Sequence, residues 1–505
     1  MFENIPILSI LIWLPVLGAS LVLAVGDRKQ GDIARRIALT VSVLCLALCV
    51  PLWGYFDTTT AVMQYAEHAD WIPTYGIEYN LGVDGIAMPL VVLTNITTLL
   101  VIMTSWTMVT YKVSQYLAAF LVMQGMIVGV FEATDSMLFY FFWEGMLIPM
   151  YLSIGIWGGE RRSYAAIKFF LYTFLGSALL LVVILYLRWR ANSFLISEFY
   201  ALKIAMPVQI SLFIGFLLAF GIKVPMWPLH TWLPDAHTEA PAGGSVILAA
   251  LMLKLGAYGF IRFMMPIVPD ACRQFAWLMI VLSLIAIVYV GLIALAQTDM
   301  KRLIAYSSVA HMGFVSLGCF MIYIIMQHTQ DSADAYLSLE GAMVQMITHA
   351  FGSGAMFLAF GVLYRQLHSR NIKDFGGIAQ TMPVFAAFFM VYVMSNVGLP
   401  GTSGFVGEFM VILSAFKASF WITFLAASTL VIAAAYTLWM YKRVFYGPIV
   451  HASINQLKDV RGMEMLVFSV LAFFVIAIGV YPDMILRVLH ASVNQLVTLS
   501  LGTRL

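Results

Sequence analysis

Apolar runs of about 20 residues recur along nearly the whole chain, separated by short polar connections. At 1.5 Å per helical residue such a run matches a hydrocarbon layer about 30 Å thick, so the pattern predicts membrane-spanning helices. The spans fall near 5–25, 33–54, 84–108, 115–131, 135–157, 164–188, 208–232, 242–265, 275–296, 302–326, 339–364, 383–417, 421–445 and 464–482, about fourteen in all. The alternating segments of a membrane β-barrel are missing, which leaves an all-α polytopic bundle. The first run has no basic residues before it, and Asp27, Arg28 and Lys29 follow it where a cleavable leader would have small residues, so it is expected to stay as span 1.

Two spans interrupt their own helix. Span 7 breaks at "KVPMWP" and span 12 at "GLPGTSGF". If spans 4–8 and 9–13 are two five-helix units, span 7 corresponds to span 12 and span 5 to span 10, and the odd number per unit makes the two repeats inverted. Paired broken helices in inverted repeats mark a transporter-like core with its site at the midplane. The expected division is 1–110 (spans 1–3 and an outer-side loop), 111–266 (first repeat), 267–447 (second repeat) and 448–505 (span 14 and a C-terminal interfacial segment). The loop at 55–83 holds Asp57, Glu67, Asp70 and Glu78 and no lysine or arginine, fitting an exposed outer cover.

Composition agrees: 62% hydrophobic, 10% charged, mean hydropathy +0.93. Basic residues concentrate in the odd-numbered connections, among them Arg28, Lys29, Lys112, Arg161, Arg162, Lys301, Arg302 and Arg370, so those face the cytoplasm and both termini face away from it. Lys223 and Lys254 are the basic residues left inside spans. Four cysteines without a CxxC pair imply neither a disulfide framework nor a metal site, and no phosphate loop or nucleotide fingerprint occurs. A formal charge of +2 says little about partners.

The candidate chemistry lies in ionisable residues at membrane depth. Glu144 comes nine residues after Asp135, about 14 Å into the layer, and Lys254 and His311 reach similar depth. Lys223, His349 and Glu408 complete the set. Four unpaired charges at about 3 kcal/mol each would cost on the order of 12 kcal/mol, comparable with the net stability of a domain. Such groups are therefore paired or functional, and a buried glutamate and lysine held by partners can exchange protons near neutral pH. For the histidines alone, simple hydrogen bonding inside a bundle is an equal reading. Each proline removes an N–H, so Pro225 is expected to free the carbonyl of Gly221, Pro228 that of Val224, and Pro149 that of Gly145 beside Glu144. Broken backbone at this depth persists where it lines a polar cavity.

Four stretches, "FYFFWEGMLIPMYLSIGIWG", "GIKVPMWPLHTWLPDAHTEAPAGGSVILAALMLKLGAYGFIRF", "AQTDMKRLIAYSSVAHMGF" and "GLPGTSGFVGEF", together resemble the antiporter-like membrane subunits of respiratory complex I, the NADH:quinone oxidoreductase. The likeness runs over essentially the whole chain. It implies a proton-translocating subunit of a large hetero-oligomer in the bacterial inner membrane, beside sister antiporter-like chains and lipid and without nucleic acid. No cofactor is expected on this chain; NADH, FMN, iron–sulfur clusters and quinone would belong to partner subunits. By resemblance Glu144 and Lys223 form a charged pair, Lys254 is the central relay, His311 and His349 lie between it and Glu408, and Glu408 is the terminal exchange residue. Sister subunits would carry lysine at the position of Glu408. His230 and His237 would lie near the cytoplasmic side. The same blocks occur in multi-chain sodium/proton antiporters and membrane-bound hydrogenases, and a redox-anchoring scaffold is a reading of a different class; co-purifying chains and charge-neutral substitutions separate them.

Overall fold

A computed structural model describes residues 5–505. Its spans are α1 (Ile7–Val25), α2 (Asp32–Gly54), α3 (Ala87–Met108), α4 (Val113–Glu132), α5 (Ser136–Trp157), α6 (Arg162–Ala191), α7a (Met206–Lys223) followed by the short α7b (Trp232–Glu239), α8 (Ala242–Ile267), α9 (Ala276–Leu295), α10 (Met300–His328), α11 (Ser332–Leu367), α12a (Pro383–Val397) with α12b (Ser403–Ala418), α13 (Phe420–Phe445) and α14 (Met463–Val480). Asp135 starts α5 by accepting the N–H groups of Met137 and Leu138 at 2.8 and 2.9 Å, and Asp299 starts α10 by accepting from Arg302 at 3.0 Å. Both breaks fall where the prolines and glycines put them. The interruption of α5 at Met146, two residues after Glu144 and three before Pro149, also follows the proline.

The bundle is a stack of inner and outer helices. α8 and α11 are buried through their whole apolar windows and α10 nearly so, whereas α2, α6, α13 and α14 turn Val50, Leu171, Val182, Trp421, Val431 and Phe473 outward. Inside a membrane such faces meet lipid or a neighbouring apolar helix, so an exposed leucine or phenylalanine there costs nothing. The most enclosed helices are the ones that carry Lys254, His311 and His349.

Two features go beyond the expected pattern. The loop after α2 is an antiparallel hairpin of β1 (Gln64–Ile72) and β2 (Ile77–Val83), with Gln64 opposite Val83 and Ile72 opposite Ile77. The turn closes through Gly76 at φ 67°, a left-handed conformation suited to glycine. After α14, α15 (Asp483–Leu501) is long and apolar enough to cross a membrane, and it meets segments near the ends of other helices. Ser492 Oγ accepts from Gly85 N at 2.9 Å, His490 meets Glu340 at 2.8 Å, and the tail beyond it reaches Asp270.

Candidate functional site

The break in α7 arises from hydrogen-bond accounting. Pro225 has no N–H, and the N–H of Met226 reaches back five residues to the Gly221 carbonyl at 2.8 Å. That shift leaves the Ile222 carbonyl without its helical donor, and the Trp232 indole takes it at 2.8 Å. The expectation that the Gly221 carbonyl would face Lys223 is therefore corrected: backbone takes it. Lys223 instead stands 3.5 Å from the centroid of the Trp143 ring and donates to the Trp143 carbonyl at 3.4 Å. A desolvated cation over an indole gains about 2 kcal/mol.

Glu144 is the residue after Trp143, within electrostatic reach of Lys223. No ion pair within 4.0 Å joins them among the described residues, and Glu144 Oε1 has no hydrogen-bond partner. The two charges implied as a pair are adjacent and apart, with the indole as the present neighbour of the lysine.

Close backbone approach brings α7a against α8. A Cβ on Gly256 would sit 2.7 Å from both the Phe220 carbonyl and the Val224 amide nitrogen, so only glycine lets the broken end of α7a touch α8 two residues past Lys254. Immediately before Lys254, residues Leu248–Met252 form a π turn, which puts the Ala249 carbonyl within 2.5 Å of Lys254 Nζ. The second partner of Lys254 is His349 Nδ1 on α11, at 2.7 Å.

From there the polar series continues. The rings of His349 and His311 are 5.8 Å apart, and the Nε2 atom of each is unpartnered. Both line a polar cavity of about 10 Å³ with Gln345, Thr348, Ser353 and Asn396, close to the room that one water needs. His311 Nδ1 meets Glu408 Oε1 at 2.5 Å, and Gln345 Nε2 donates to the same oxygen at 3.0 Å. Glu408 is on α12b, just past the break. There a Cβ on Gly404 would lie 1.9 Å from the Ser395 carbonyl, so glycine lets α12b fold back against α12a. Lys254, His349, His311 and Glu408 are thus brought together from four helices, all buried.

His237 is fully enclosed, stacked at 4.6 Å on Phe357, with neither ring nitrogen partnered and both Lys254 and Lys301 in electrostatic reach. His230 lies beside Tyr306 and apart from the series. Lys301 is buried at the start of α10, donates to the Ala240 carbonyl and lines a cavity of about 430 Å³ at the helix ends that carry most of the basic residues. Sequence reading had put Lys301 in a loop. It also passed over Glu132, the last residue of α4, and Arg262, which is inside α8 and ion-paired to Asp84. The available signal was a charge within one helical turn of a span's end.

A family model described as NADH:quinone oxidoreductase/Mrp antiporter, transmembrane, matches residues 133–434. The NADH-quinone oxidoreductase subunit M of Rhodobacter capsulatus is 44% identical over 508 residues, covering 97% of this chain and 96% of that one. Among solved structures, a chain of respiratory complex I from Thermus thermophilus with bound NADH superposes with a TM-score of 0.87 at 29% identity, over 98% of this chain and all of its own. A chain of the Mrp complex from a Dietzia species superposes at 0.85 with 18% identity over 99% and 100%, a likeness of fold alone.

Proposed function

As a member of the NADH:quinone oxidoreductase/Mrp antiporter transmembrane family, this chain is a proton-translocating membrane subunit of NADH:quinone oxidoreductase, and we propose that its protons move along Lys254, His349, His311 and Glu408. The observation that carries the reading is the series of contacts across four helices, 2.7 Å from Lys254 to His349 and 2.5 Å from His311 to Glu408, with a cavity of one-water size lined by both rings. Each histidine offers one nitrogen to its neighbour and leaves the other without a partner, so a proton taken at one nitrogen can leave from the other.

Lys223 and Glu144 set the state of this path. At an effective dielectric of about 20, two unit charges 4 Å apart interact by about 4 kcal/mol. Transfer of Lys223 from the Trp143 ring to the Glu144 carboxylate would therefore favour its ammonium form by that order, and the return movement would favour release of its proton. Uptake runs from the basic side, through the large cavity to Lys301 and His237. In this reading the basic connections face the bacterial cytoplasm, both termini face away, and residues 111–266 and 267–447 are the two repeats. NADH, FMN, iron–sulfur clusters and quinone belong to partner subunits, sister antiporter-like chains among the neighbours. Among the described residues no group of three or more His, Cys, Asp or Glu could hold a metal ion.

The test is Glu408→Gln and Lys254→Ala in the assembled complex, reconstituted in vesicles. NADH oxidation with an uncoupler present is expected to persist while protons moved per NADH fall. Wild-type pumping in both variants refutes the path.

A further inference from the structure

Glu132 is fully buried, and neither of its carboxylate oxygens has a hydrogen-bond partner. A carboxylate in that setting holds its charge only at a cost of several kcal/mol, which a proton removes. Its position is specific. Lys254 and Tyr258 are four residues apart in the regular helical stretch Leu253–Gly259, so their side chains share one face of α8, about 5–6 Å apart at Cβ. Tyr258 Oη donates to the Phe131 carbonyl at 2.9 Å, beside Glu132, and accepts from Arg262 Nε at 3.0 Å. One face of α8 thus leads from Lys254 away from the basic side toward Glu132.

Beyond Glu132 lies the hairpin. Ala133 bridges Leu81 of β2, and Leu81 is opposite Glu67 of β1. Glu67, half-buried, accepts from Leu8 N at 2.8 Å, Ser9 N at 3.1 Å and Ser9 Oγ, while Tyr79 Oη is 3.0 Å from Ser9 Oγ. The groups within electrostatic reach of Glu132 are Glu67, Tyr79, Cys49 of α2 and Tyr258. A buried acid without donors thus stands between the midplane lysine and a half-buried carboxylate at the outer surface.

We propose that Glu132 is a proton-carrying carboxyl of the first repeat, taking protons from Lys254 along the Tyr258 face of α8 and passing them to Glu67 on the outer side. In the first step an N–H bond of the Lys254 ammonium breaks and an O–H bond forms on the Glu132 carboxylate, leaving a neutral amine. In the second that O–H bond breaks and the Glu67 carboxylate accepts the proton; no electrons are exchanged. The proposal rests on Lys254 being a relay residue and adds an outlet separate from Glu408.

The experiment uses the reconstituted complex with Glu132→Gln, Glu132→Asp and Glu67→Gln, and Glu408→Gln and Lys254→Ala alongside. Expected are a loss of protons moved per NADH in Glu132→Gln and Glu67→Gln, partial recovery in Glu132→Asp, and the loss from Glu132→Gln of a protonated-carboxyl C=O band in infrared difference spectra. Wild-type pumping in Glu132→Gln overturns the proposal; if that variant does not assemble, wild-type pumping in Glu67→Gln does so. Should Lys254→Ala and Glu408→Gln lose pumping while Glu132→Gln and Glu67→Gln keep it, the outlet fails and the main path stands. Wild-type pumping in all of them removes both.

Discussion

Lys254 has three N–H donors to satisfy in a helix that lies wholly inside the protein, and two partners take two of them: the Ala249 carbonyl and His349 Nδ1. Removing a buried partner leaves a donor unsatisfied, at about 1–3 kcal/mol and more for a charge. His349→Leu is therefore expected to lower the thermal stability of the subunit by an amount of that order and to stop pumping. His349→Gln keeps an acceptor for the lysine but has no second nitrogen to pass the proton on. It should recover stability in a thermal melt of the purified complex without recovering proton movement; recovery of both would show that His349 only packs. Lys223 makes a related point. Its expected acceptor, the Gly221 carbonyl, was a sound deduction from Pro225, but Met226 was free to reach it first.

Helix breaks do their work through the neighbours they admit. The end of α7a approaches α8 at Gly256, and the obstacle to a Cβ there is backbone, which cannot rotate away as a side chain could. Gly256→Ala is expected to push α8 off the break at a cost of about 1–3 kcal/mol. Because Lys254 is two residues away, pumping should fall with stability, measured as thermal inactivation of NADH-driven proton uptake. Unchanged stability and pumping would mean that the two helices are looser than they look. The two interruptions at prolines and glycines were legible in the sequence, since those residue types carry their geometry with them. The π turn before Lys254 was not: "LAALM" is ordinary helix-forming sequence, and the extra residue in that turn is a product of packing against α11.

At the scale of the whole chain, charged contacts tie distant segments together. Asp235 of α7b meets Lys168 at 2.7 Å and Arg302 at 3.6 Å, and Arg370 meets Glu239 at 3.2 Å and Asp299 at 3.4 Å, joining the two repeats on the basic side. On the other side Asp270, between α8 and α9, holds the C-terminal tail by accepting from Arg504 N at 2.8 Å and Gln209 Nε2 at 2.9 Å. Burial works against its charge, yet these donors and Arg273 hold its carboxyl below the usual range. A lowered folded-state value means that the contribution is complete well above the unfolded value of about 3.9 and is lost as pH falls through the folded one. The tail at 502–505 is therefore expected to stay docked from neutral pH down to about 4 and to undock only at lower pH. Hydrogen exchange of the Arg504 amide against pH reads this directly, and Asp270→Asn should remove the pH dependence.

Length and apolarity of the runs identified the spans, because a hydrocarbon layer accepts little else, although α15 meets the same criterion. Proline and glycine determined where α7 and α12 break. The expected depth of Glu144, Lys254 and His311 followed from the helical rise alone. Which of these residues touch was decided by tertiary structure: His349 and Lys254 are 95 positions apart and His311 and Glu408 are 97, and nothing local relates them. The same is true of Glu132, whose sequence neighbours read as the end of a span and whose surroundings combine α2, α8 and a hairpin more than 40 residues earlier. Periodicity records how each helix meets its surroundings, but the identity of the partner across the contact exists only once the helices are packed.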